Sequence, residues 1–129
     1  PAAAAALADH PTVEVILVGG RLDKYSLVTI GADTVETLQR MRADLCMLGV
    51  CSLHPENGVT NNNLEESYVQ RVMIANAAEV VALASAEKLG TVTHFLVAPI
   101  QDLAAILTDA DVPDEVVAPY QALGIEVIR

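Results

Sequence analysis

The chain has 129 residues, 53% of them apolar and 3% aromatic, and carries a net charge of −10. That length suits a single domain, residues 1–129, whose core must be built from Val, Leu, Ile and Ala. So acidic a surface argues against direct nucleic-acid binding by this chain, and no apolar run approaches the ~20 residues of a membrane span.

Pro1 leads directly into Ala2 to Ala6 and Leu7, which predicts a helix over Pro1 to Asp9, since proline is tolerated at a first helical position and alanine is the best helix former. The chain is therefore expected to begin inside a helix, as a fragment. No charged-then-apolar signal segment opens it. Val13 to Val18 reads as a buried strand halted by Gly19-Gly20. Arg21 to Ser26 reads as a connector and Leu27 to Ile30 as a short strand. Asp33 with Glu36 three residues later has the spacing of a capping box, opening a helix to about Arg42.

The central strand is expected near Leu45 to Val50, followed by a loop with Pro55, Asn57 and Gly58. Asn63 and Glu66 repeat the cap spacing, so a helix should run from Leu64 to Ala78, with Val69, Val72, Met73 and Ala77 on its apolar face. Further strands are expected at Val80 to Ala84, Phe95 to Ala98, Ala105 to Leu107 and Ile125 to Ile128. A last helix near Asp114 to Leu123 contains Pro119, which should kink or shorten it.

Strands alternating with helices through short connections predict an α/β fold with a mostly parallel sheet flanked by helices, Rossmann-like. The short apolar runs lack clear alternation, which suggests strands covered on both faces. Cys46 and Cys51 fall in one apparent strand, Leu45 to Ser52. There they stand about 16 Å apart on opposite faces, too far for a mutual disulfide. Two free thiols suit a reducing, cytoplasmic setting. His10, His54 and His94 share no metal-ligand spacing, so neither metal nor cofactor is expected.

Ligands of parallel α/β sheets sit beyond the carboxyl ends of the strands. Gly19-Gly20, Gly49 and Ser85 to Lys88 each follow an expected strand. The Gly19-Gly20 amides could approach a ligand, or simply make a tight turn; the later glycines of a dinucleotide fingerprint are missing. Thr60 and Asn61 to Asn63 carry groups that both donate and accept, suited to sugar hydroxyls, although Asn63 also serves as a helix cap. Glu66 is assigned to the capping box, which leaves Glu65 to face the rim. Lys88 is the only cation between Arg71 and Arg129 and lies just past a buried strand, placed to pair with a phosphate or a sugar oxygen.

The ordered set of Val15 to Leu22, Ala43 to Gly49, Gly58-Val59-Thr60 with Glu65-Glu66, Arg71 to Ile74, Lys88-Leu89-Gly90, Val97 to Ile100, Thr108-Asp109 and Gly124 to Ile128 resembles the DeoR family of bacterial transcriptional regulators. The resemblance covers essentially the whole chain. It implies a C-terminal effector-sensing domain, similar in fold to ribose-5-phosphate isomerase, that binds a small phosphorylated sugar or related metabolite. Operator DNA would be bound only through an absent N-terminal helix-turn-helix domain, and the protein would be a homo-oligomer. The first sensor strands, with the family's phosphate loop, would also precede Pro1.

Carried over residue by residue, the resemblance implies effector contacts at Gly49, Thr60, Glu65 and Lys88, and the strand-end reading adds the amides of Gly19 and Gly20 to the same cradle. Two departures stand out: Ser85-Ala86-Glu87 replaces the family's aspartate and two serines ahead of the lysine, and Gln70 replaces a lysine beside Arg71. The enzyme alternative is a sugar-phosphate isomerase. Such chemistry needs a positioned carboxylate base, and the central strand end, Gly49-Val50-Cys51-Ser52, offers none. No catalytic residue is assigned.

Overall fold

A computed structural model describes residues 1–129. It contains helix α1 (Ala2–Leu7), a hairpin β1 (Arg21–Asp23) and β2 (Val28–Ile30), helix α2 (Ala32–Gln39), and strand β3 (Ala43–Gly49). A second hairpin, β4 (Ser52–His54) and β5 (Gly58–Asn61), precedes helix α3 (Leu64–Ala75) and strand β6 (Ala77–Leu83). Strands β7 (Phe95–Ala98) and β8 (Ala105–Leu107), helix α4 (Asp114–Gln121) and strand β9 (Glu126–Ile128) complete the chain.

The main sheet is fully parallel, in the order β3-β6-β8-β9, and helices flank it, so the α/β expectation holds. A second, antiparallel sheet, β4-β5-β7, stands beside it, and β1-β2 forms a separate two-stranded ribbon. Phe95 to Ala98 is thus a strand, but of the antiparallel sheet. The loop expected after the central strand is in fact the β4-β5 hairpin.

The core collects Cys46, Leu48, Val80, Ala82 and Ile106 from one face of the parallel sheet. Leu53 and Val59 from the antiparallel sheet and Tyr120 from α4 complete it. The expectation of cover on both faces is corrected. Leu45, Met47, Leu107 and Ile128 point from the opposite face and are exposed. Register explains why: Cys46 and Leu48 align with Val80 and Ala82, so alternate residues of each strand share a face.

Val13 to Val18 is not a buried strand. It pairs with no neighbour, and Ile16 and Leu17 are each 69% exposed. An apolar run becomes a strand only where another strand takes its amides and carbonyls, and the sheet ends at β3. The Arg21 to Ser26 connector contains strand β1. Helix α2 begins after Gly31 with no side-chain cap, so Asp33 is a first-turn acid and not the cap, and the helix stops at Gln39. Pro119 lies inside α4, which ends at Gln121, short of Leu123 as the proline led one to expect.

Candidate functional site

Strands β3 and β6 run parallel, so both deliver the chain to the same edge of the sheet. At the end of β3 stands Gly49, followed by Val50 and Cys51; past β6 comes a single 3₁₀ turn, Ala86–Lys88. Strand β5 leads through Asn61, Asn62 and Asn63 into α3, whose first turn carries Glu66. The β1-β2 turn adds Asp23, Tyr25, Ser26 and Val28. Together these residues enclose a cleft of about 710 Å³.

Beneath it, Gln70 of α3 acts as a buried brace. Its Nε2 donates to the Gly49 carbonyl at 2.9 Å, and its Oε1 accepts from Asn61 Nδ2 at 3.1 Å. Asn61 Oδ1 in turn accepts from the Asn63 amide, and Asn63 Oδ1 caps α3 by accepting from the Glu66 amide. The Asn63 cap is as the sequence implied. The Asn run therefore mainly builds the wall, leaving Asn62 exposed.

Lys88 is half-buried and is the one cation of the lining. No carboxylate lies within ion-pairing distance of its ammonium. Its turn is held from three sides. The Asp109 carboxylate accepts from the Ala86 amide at 2.7 Å, Thr91 Oγ1 donates to the Lys88 carbonyl at 2.7 Å, and the Gly90 amide donates to the buried Tyr120 hydroxyl at 2.9 Å. That hydroxyl donates onward to the Leu53 carbonyl, so α4 ties the Lys88 segment to β4. Burial raises the Tyr120 pKa, keeping the hydroxyl protonated for this bridge.

Two carboxyl groups face the same cleft with opposite titration behaviour. The hydroxyl and amide of Ser26 hold Asp23 below the ordinary carboxylate range, helped by the Arg21 charge. Burial pushes Glu66 above that range, and the Asp23 charge adds to the push. Asn61, Ser26 and the Lys88 charge ease it only in part. Because the fold favours the protonated form of Glu66, its ionisation weakens the fold. That penalty is absent well below the unfolded value of about 4.3 and grows as pH rises through the elevated folded value. Urea unfolding of wild type and Glu66→Gln between pH 4 and pH 7 should therefore show the variant gaining relative stability toward neutral pH. A wild type that gains instead would contradict the burial of this carboxyl.

Of the six sequence-predicted site residues, Gly49 and Lys88 line the cleft. The other four do not. Thr60 is 5% exposed, and its Oγ1 accepts from the amide and hydroxyl of Thr93 at 2.9 and 3.0 Å, joining β5 to the segment before β7. Gly19 gives its carbonyl to Thr34 Oγ1 at 2.8 Å. At Gly20 a Cβ would lie 1.9 Å from that same hydroxyl oxygen, so the lack of a side chain there lets helix α2 approach closely. The two glutamates face other ways than expected, although the Glu66 amide does join the Asn63 cap. One residue is about 100° of helix turn, and Glu65 lies on the α2 side, ion-paired with Arg21, while Glu66 faces the cleft.

Sequence reasoning missed the β1-β2 turn altogether. Its available signal was Asp23 three residues before Ser26, the spacing at which an Asp side chain caps a turn amide.

Residues 1–110 match the family described as the DeoR C terminal sensor domain. The chain is 32% identical over 103 residues to the HTH-type transcriptional repressor GlcR of Bacillus subtilis (strain 168), covering 80% of this chain and 40% of that protein. It is 28% identical over 115 residues to the HTH-type transcriptional regulator GlpR of Haloferax volcanii, covering 89% and 45%. Against the putative aga operon transcriptional repressor of Escherichia coli O157:H7 it is 26% identical over 123 residues, covering 95% and 46%. The chain thus spans slightly under half the length of these relatives, all of them regulators by name and none an enzyme.

Proposed function

This chain belongs to the DeoR C-terminal sensor-domain family, and we propose that its cleft binds a small phosphorylated sugar or related metabolite whose binding modulates DNA affinity. Residues 1–129 form the sensor unit in this reading. A separate helix-turn-helix domain, of the kind the relatives' names mention, contacts operator DNA, and the regulator self-associates.

One observation carries the proposal. A single unpaired ammonium, Lys88, shares a strand-end cleft with the carboxyl groups of Asp23 and Glu66 and the exposed amide of Asn62. An ammonium takes an anionic oxygen as a point charge. Carboxylates accept only, so Asp23 and an ionised Glu66 suit the hydroxyl groups of a polyol and repel a second phosphate. That division fits a ligand with one anionic end and several hydroxyls. The ligand changes DNA affinity only by binding two conformations unequally, and DNA must alter ligand affinity by the same factor.

Calorimetric titration of the full-length protein with ribose 5-phosphate and a set of hexose phosphates, each beside its parent sugar, tests the reading. Sugar phosphates should bind at least tenfold more tightly than the parent sugars, and the ligand that binds should shift operator affinity. Equal binding of phosphorylated and unphosphorylated sugars, or no binding of either, would overturn it.

A further inference from the structure

We propose that Tyr25 is a specificity-determining residue of this cleft, its ring stacking on the apolar face of the ligand's sugar moiety. This deepens the effector reading above and rests on it. Tyr25 lines the cleft at the tip of the β1-β2 ribbon, and it is 95% exposed. Its hydroxyl makes no hydrogen bond within the chain, so neither packing nor a polar partner accounts for the ring's placement. The other two tyrosines are used elsewhere: Tyr120 is buried against Leu53 and Gly90, and Tyr68 lies beside Glu65 and Val35.

The tip that presents Tyr25 is braced. The Asp23 carboxylate accepts from both the amide and the hydroxyl of Ser26, and the Leu27 amide donates to the Asp23 carbonyl at 2.8 Å. Leu27 holds φ at +56°, a left-handed conformation that residues other than glycine seldom adopt. Arg21 at the foot of the ribbon pairs with Glu65, and Thr29 Oγ1 donates to the Val18 carbonyl at 3.1 Å. A ring carried on a prebraced turn loses little freedom on binding, because only two side-chain torsions remain to be fixed.

The chemistry of the partner follows from the ring. A tyrosine face carries negative charge density and meets the slightly positive C–H groups on one face of a furanose or pyranose. The cleft's polar atoms, Lys88, Glu66, Asp23 and Asn62, can meet the sugar's charged and hydroxyl edge but leave its C–H face without a partner. Tyr25 is the only aromatic residue of the lining and supplies that partner.

The test is calorimetric titration of wild type, Tyr25→Ala and Tyr25→Phe, as full-length proteins, with inorganic phosphate and with ribose 5-phosphate and hexose phosphates. Removing the ring should weaken sugar-phosphate binding about tenfold, the scale of one aromatic contact. Tyr25→Phe should stay within about threefold of wild type, because the ring persists. Affinity for inorganic phosphate should be the same in all three proteins, and bound sugar phosphate should shield Tyr25 from acrylamide quenching. Unchanged sugar-phosphate affinity in Tyr25→Ala overturns this inference and leaves the effector reading intact. An equal loss for inorganic phosphate also overturns it, since the ring would then act through the anion site. A wild type that binds no sugar phosphate overturns both readings.

Discussion

Lys88→Ala should weaken binding of a sugar phosphate by about 10- to 100-fold, the range for losing one hydrogen bond to a charged group. The melting temperature should change little. Both halves follow from the surroundings of this residue. Its ammonium has no internal ion pair to lose, and its segment is anchored through backbone groups by Asp109, Thr91 and Tyr120. Without the lysine, the lining retains only the carboxyl groups of Asp23 and Glu66 as titratable charge near the ligand's anion, so attraction becomes repulsion. Lys88→Glu should abolish measurable binding. Calorimetry for affinity and thermal unfolding for stability separate the two effects. A Lys88→Ala protein that melts far below wild type yet binds normally would make Lys88 a structural residue.

Gly58→Ala should be the more damaging change for the fold, lowering stability by about 3 kcal/mol or more and the melting temperature by roughly 10 °C. Gly58 opens β5 with φ at +76°, where any side chain strains the backbone. A Cβ there would stand 2.3 Å from the Ala98 carbonyl oxygen and 3.0 Å from the Ile100 amide. Both are backbone atoms, so neither can swing aside. The pairing with β7 shifts register between Val59 and Thr60, so the ladder beside Gly58 is irregular. The glycine of Gly58-Val59-Thr60 is therefore required by strand packing, and the threonine by its contact with Thr93. A Gly58→Ala protein melting within about 2 °C of wild type would refute this reading.

Much of the fold was legible because local chemistry and tertiary structure agree. Strands Phe95 to Ala98 and Ala105 to Leu107 stand where expected, and Asn63 caps α3 as its spacing implied. Disagreement arose where a residue's role depends on what lies across from it. Val13 to Val18 has the composition of a strand but no partner. The β1-β2 ribbon was hidden because its turn places Leu27, and not glycine or asparagine, in the left-handed region.

Two residues of the cleft's lining could be placed from the sequence. Gly49 and Lys88 follow parallel strands, and a sheet edge gathers such residues whatever their neighbours. Gly19, Gly20 and Thr60 read as ligand groups because glycine and threonine suit both a ligand and a close backbone contact. Only the positions of Thr34 and Thr93 decide between the two. Glu65 and Glu66 differ by one step of helix rotation, and the Asn63-to-Glu66 spacing that marks the cap does not say where the Glu66 side chain points.

The measurement that bears most directly on the proposed effector cleft is amide chemical-shift mapping of the protein during titration with a sugar phosphate. Shifts should concentrate on Gly49, Cys51, Asn62, Asn63, Glu66 and Lys88, with Tyr25 and Ser26 across from them. Perturbations gathered instead on the apolar groove of Leu38, Leu45, Val72 and Met73, with Lys88 silent, would contradict the assignment.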